Sequence, residues 1–202
     1  MSDIAPSSRA RKIRAALAGG LVLGVGAAIT LAAWNDSEFA TGTFEAGDFN
    51  LEGSLNGTEF IEHDTVDTAA PLAFGVDASN LAPGDIVSAP FAVRLDATTS
   101  YDAGVVVRPA GTTNEIAGLT YTLTTTVGFG CDATVGDTLV AAGTALDAVG
   151  DTAAFNLVSG VDSAAGAAVN LCFTVTANDD LDQGQSGTAT WEFLATSDSP
   201  EV

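Results

Sequence analysis

Few side chains in this chain could do chemistry, and their scarcity is the first constraint. There is one histidine, His63, and there are two cysteines, Cys131 and Cys172. A zinc protease needs two imidazoles one helical turn apart with a glutamate base between them, and a Ser-His-Asp set needs a histidine beside its serine. His63 sits in Glu62-His63-Asp64-Thr65-Val66, which carries neither pattern and reads as a solvated loop. No G-x-S-x-G element, P-loop or dinucleotide fingerprint occurs. The residues argue against an enzyme. One oxygen-rich stretch remains, Asn178-Asp179-Asp180-Leu181-Asp182-Gln183-Gly184. Asp179, Asp180 and Asp182 make a weak calcium candidate, since calcium takes six to eight oxygens. The stretch lacks EF-hand spacing and a closing glutamate, so an ordinary acidic turn is the simpler reading, with no cofactor expected.

Charge narrows the partners. The chain has 202 residues, 26 acids and 6 bases, a net of -20. Arg9, Arg11, Lys12 and Arg14 crowd the start, and beyond residue 33 only Arg94 and Arg108 face 25 acids, a net of -23. Such a surface repels phosphate backbones, so nucleic acid is excluded as a partner. Anionic headgroups are disfavoured for the same reason, leaving the basic leader as the one membrane contact. Hydrophobic residues make up 47% and charged residues 16%, a folded chain's composition rather than a disordered acidic tail's.

The leader explains the cysteines. After Arg14 come 19 uncharged residues, Ala15 to Ala33, ending in small side chains. This is the pattern of an export signal over residues 1–33, cut at Ala32 or Ala33. An uncleaved anchor is the alternative, since 19 residues can just span a bilayer. In an exported chain, the lone cysteine pair reads as a Cys131–Cys172 disulfide closing a loop of about 40 residues. In the chain-entropy picture it stabilises by about 3–4 kcal/mol. The expected location is secreted or at the cell surface.

The rest of the chain must supply the fold. Val87, Ala89, Phe91, Val93 and Leu95 alternate with Ser88, Pro90, Ala92 and Arg94, the period-two pattern of a half-buried strand. Similar alternation runs through 119–127, 169–177 and 188–195, and shorter strands are expected at 44–51, 72–77, 103–108 and 153–158. Ala82-Pro83-Gly84-Asp85 is a type II turn signal. Residues 135–146 are alanine-rich but broken as a helix by Gly136 and Gly143. The expectation is all-β: a two-sheet, jelly-roll-like sandwich over 44–196, behind a signal-peptide helix and an extended arm over 34–43. Residues 197–202 are expected to fray.

The junction carries a resemblance. Leu31-Ala32-Ala33-Trp34-Asn35-Asp36-Ser37-Glu38-Phe39, followed by Gly42-Thr43-Phe44-Glu45-Ala46-Gly47-Asp48-Phe49-Asn50-Leu51, resembles exported proteins with a SipW-type signal peptide. This is the TasA and camelysin (CalY) group, and the cysteine pair points to its actinobacterial branch of alternate signal-mediated exported proteins. Farther on, only Leu81-Ala82-Pro83-Gly84-Asp85 adds to the match. The resemblance implies a dedicated signal peptidase, a jelly-roll body and, in TasA-like members, extracellular fibres of the biofilm matrix.

A mechanism follows from the residues. Removing the leader leaves an N-terminal arm bearing Trp34, Asn35, Asp36, Phe39, Phe44 and Phe49. Such an arm can add a strand to the sheet edge of another copy, and a head-to-tail contact of this kind propagates. Two alternatives stay open: residues 44–51 are the first strand of their own sandwich, and residues 34–40 are a free tail. The expected function is a fibre subunit whose partners are its own copies; a monomeric adhesin or carbohydrate-binding module is the competing reading.

Overall fold

The computed structural model describes residues 8–29, 37–43, 47–75, 78–114, 116–149 and 153–198. It divides into two compact units, Met1–Phe44 and Glu45–Val202. In the first, α1 spans Ser8–Ile29 with no acidic residue in its first turn. The basic residues at Arg9, Arg11, Lys12 and Arg14 occupy its N-terminal half, where the helix dipole disfavours positive charge. Among the described residues, no helix is long and apolar enough to cross a membrane. Residues 37–43 form neither helix nor strand and are exposed throughout, with Phe39 at 92%.

Among its described residues the second unit holds eight strands: β1 (Leu51–Ser54), β2 (Ile86–Leu95), β3 (Ala103–Thr113), β4 (Leu119–Thr126), β5 (Val135–Ala145), β6 (Ala154–Leu157), β7 (Val169–Ala177) and β8 (Thr188–Ser197). They build a five-stranded sheet, β1-β2-β7-β4-β5, and a three-stranded sheet, β6-β3-β8. Every strand pair is antiparallel. The two sheets pack as a sandwich, as the alternating pattern requires.

Alternation decides which side chains meet. Val87, Ala89, Phe91, Val93 and Leu95 of β2 are buried, and Leu171, Phe173 and Val175 of β7 join them. Val105 and Val107 of β3 close the core from the opposite sheet. Both in-strand prolines sit where their strand is paired on one side only. β1 reaches only Ala92, so Pro90 has β7 as its sole strand neighbour. β6 reaches only Val106, so Pro109 has β8 alone. A proline cannot donate to a ladder, and these positions ask little of it.

Some boundaries differ from the sequence expectation. Of the strand expected over 44–51, the described residues 47–51 enter a strand only at Leu51; before it, Asp48 makes an isolated parallel bridge to Thr99. The expected strand at 72–77 does not form over its described residues 72–75. Leu72 and Phe74 are instead half-buried in irregular chain, because no strand offers them a ladder. Val127 ends the alternation of β4 and is 77% exposed, since the chain turns there. Residues 135–145 extend β5 through both glycines. Tyr121 pairs with Thr144 but Leu123 with Val140, so β5 carries two extra residues, and Gly143 at φ 83° sits in that bulge. Ser197 belongs to β8, and the Asp198 N–H reaches the Asp102 carbonyl at 2.8 Å. The Pro83-Gly84 turn forms as expected, with Gly84 at φ 94° and the Asp85 N–H donating to the Ala82 carbonyl at 3.0 Å.

Candidate functional site

Three of the four outer edges of the sandwich are short, bridged or broken by bulges. β6 has four residues, β1 is bridged to Ile61, and β5 is irregular. The fourth edge is β8, ten residues long, which pairs with β3 alone. Among the described residues, no backbone hydrogen bond reaches β8 from its other side. A row of unpaired N–H and C=O groups is a template for another strand.

The chain beneath that edge is apolar. A cleft of about 1950 Å³ opens between β8 and the inner face of the five-stranded sheet. Phe91, Val93, Phe173 and Val175 form its floor, Trp191 and Phe193 its β8 wall, and Leu72, Phe74 and Leu81 its far side. The rings interlock: Phe173–Trp191 centroids are 4.8 Å apart, Tyr121–Trp191 5.2 Å and Phe91–Phe193 5.5 Å. Tilted pairs at this spacing add about 0.5–1.5 kcal/mol each beyond the area they bury. The Tyr121 hydroxyl donates to the Ala148 carbonyl at 2.8 Å. Burial pushes its phenol up to about 12, with the neighbouring Trp191 N–H opposing the rise. That N–H is buried and makes no hydrogen bond of sound geometry.

The outer faces neutralise their few cations locally. Arg108 of β3 meets Glu192 of β8 at 2.6 and 3.1 Å, which raises the guanidinium and holds the Glu192 carboxyl low. Arg94 meets Glu52 at 3.0 Å and lies 4.0 Å over the Phe60 ring.

Several expected residues are now placed. Cys131 and Cys172 form a disulfide with Cα atoms 5.1 Å apart. Cys172 lies on the outer face of β7, so the bond pulls the β4–β5 connection across that sheet. Phe129 in the same connection packs on Gly57, where an added Cβ would meet its ring at 2.5 Å. Asp179, Asp180 and Asp182 are exposed, and the Asn178 side-chain oxygen accepts the Asp180 N–H at 2.8 Å. Among the described residues, no three His, Cys, Asp or Glu groups are placed to hold a metal. His63 corrects the solvated-loop expectation. Glu62 and Asp64 are exposed, but the His63 ring turns inward and buries an unpartnered Nδ1 near Gly53 and Phe91.

The arm divides at Asp48. The Ser100 N–H donates to the Asp48 carbonyl at 3.3 Å, and the Asn50 N–H to Thr99 Oγ1 at 2.8 Å. Residues 48–50 therefore belong to their own sandwich, and Phe49, 39% exposed, lines the cleft of its own chain. Phe39 is exposed. Ala32, Ala33, Trp34, Asn35, Asp36 and Phe44 lie outside the described residues. Sequence reasoning missed the bare β8 edge and the cleft, because both depend on which strands become neighbours. It also missed the Asp96 turn, whose Asp96-Ala97-Thr98-Thr99 spacing is a readable side-chain capping signal.

The fold and site define a disulfide-tied β-sandwich with one long strand edge left open above an apolar cleft. No protein-family model matches the chain, and no curated protein matches it.

Proposed function

We propose that this chain is a secreted structural subunit that polymerises by laying its N-terminal arm on the β8 edge of another copy. Residues 34–43 are the donor, freed when a signal peptidase cuts at Ala32 or Ala33. The bare β8 edge over the apolar cleft carries this reading. Ten extended residues reach about 33 Å, and the ten-residue β8 offers the same length. Main-chain hydrogen bonds would supply affinity, and the arm's aromatics would enter the cleft. The exposure of residues 37–43, including Phe39, supports a segment without a place in its own fold. The resemblance to SipW-type, TasA-like exported proteins, with the jelly-roll path it implies, supports extracellular fibres as the product. The disulfide supports an oxidising compartment.

The test is sedimentation of leader-free protein with and without residues 34–43. The full arm should give polymers and the truncated chain monomers. Monomers from both would sink the proposal and favour a solitary adhesin.

A further inference from the structure

One wall of the cleft is held in an unusual way. The described part of residues 66–83 passes along the cleft and packs Leu72, Phe74 and Leu81 against the core. Its backbone hydrogen bonds are all local: Thr68 to Thr65, Ala69 to Val66, Phe74 to Leu72, Ala78 to Gly75. Among the described residues, none joins residues 66–83 to a strand, although the β8 edge beside it is bare. The first main-chain bond out of this stretch is at its end, where the Gly84 N–H meets the Ala177 carbonyl at 2.9 Å.

A segment held by side chains alone opens at low cost, because few cooperative contacts break with it. A strand that pairs along β8 gains a ladder this segment never makes. We infer that residues 66–75 and 78–83 form a displaceable plug, which covers part of the apolar core in the monomer and is evicted by the incoming arm. The inference rests on the arm-donation reading and adds its control: the plug lowers the apparent affinity of the cleft by the fraction of molecules in which it is seated.

The probe is a synthetic peptide of residues 34–46, titrated into leader-free protein that lacks residues 34–43, the chain expected to stay monomeric with β8 open, and into the Phe74→Ala variant of that chain. The variant should bind about five-fold or more tightly, since the plug has lost its largest side chain. In the unaltered protein, hydrogen exchange should speed up in residues 66–75 and slow in β8 once peptide is added. This second readout holds even if Phe74→Ala fails to fold. Equal or weaker binding by a folded variant, or unchanged exchange in residues 66–75 with β8 protected, overturns the plug and leaves arm donation standing. A peptide that binds neither protein and protects nothing overturns both.

Discussion

Phe173 and Trp191 meet across the sandwich with ring centroids 4.8 Å apart, and this contact fixes β8 over the centre of the larger sheet. Trp191 also leans on Tyr121, and its strand neighbour Phe193 reaches Phe91 and Phe173. β8 is thus held by its side chains and by β3, with no need of a strand on its outer edge. That is how an edge can stay open without the sheet unravelling. Replacing Trp191 with Ala should destabilise the body by about 3 kcal/mol, the lower end for an aromatic-to-alanine change because the ring is only half-buried. Thermal unfolding would show this as a fall of roughly 6–12 °C.

The disulfide should matter more than any single core side chain. With the cysteines 41 positions apart in sequence, chain entropy gives about 4 kcal/mol. Replacing Cys131 and Cys172 together with Ala should lower the denaturant midpoint with native strand content retained. An unchanged midpoint would mean that the packing of Phe129 on Gly57 holds the connection unaided.

Gly57 tests that packing separately. It sits at φ 75° with the Phe129 ring against it, so Gly57→Ala meets both backbone strain and a clash. A cost of about 1–3 kcal/mol is expected in chemical denaturation. Gly84, at φ 94° with open space around it, should cost less when changed to Ala, since strain acts there alone.

Asp96 supplies the pH dependence. Burial raises its carboxyl, but hydrogen bonds from the Thr99 and Thr98 side chains and backbone N–H groups outweigh this and hold it below its ordinary value. A carboxyl with a lowered folded-state value stabilises above the unfolded value, near 4, and loses that contribution as pH falls through the folded one. Asp96→Ala should therefore cost about 1 kcal/mol at pH 7, a discounted figure for a partly exposed group. The gap between variant and unaltered protein should narrow as the pH drops below about 4.

Charge should gate assembly. Beyond residue 33 the chain carries -23, so copies repel until screened. Polymer yield by light scattering should rise with salt toward 0.15 M, where the screening length is about 8 Å, and rise again on mild acidification. Equal yield in very dilute buffer at neutral pH would contradict this.

The strands that alternate cleanly could be read from the chain, and the reason is local. In β2 and β7 every second residue is apolar, and a slip of one position would turn that face to water. Residues 44–51 and 72–77 carried strand-like composition too, but a strand needs a neighbour. Residues 48–50 found only the turn over Asp96–Ser100, and residues 72–75 found no strand. His63 shows the same limit. Its acidic flanks suggested a solvated loop, yet the bridge from Gly53 to Ile61 folds that loop against Phe91 and turns the ring inward. The cysteine pair was legible because only one pairing existed. The open edge of β8 was not, because nothing within Thr188–Ser197 says that no strand will lie beside it.

The most direct measurement is a cryo-electron microscopy reconstruction of whatever leader-free protein assembles at physiological salt. The account predicts filaments in which residues 34–43 of one subunit run as an added strand along Thr188–Ser197 of the next. Filaments joined elsewhere with β8 bare, or a sample that remains monomeric, would contradict it.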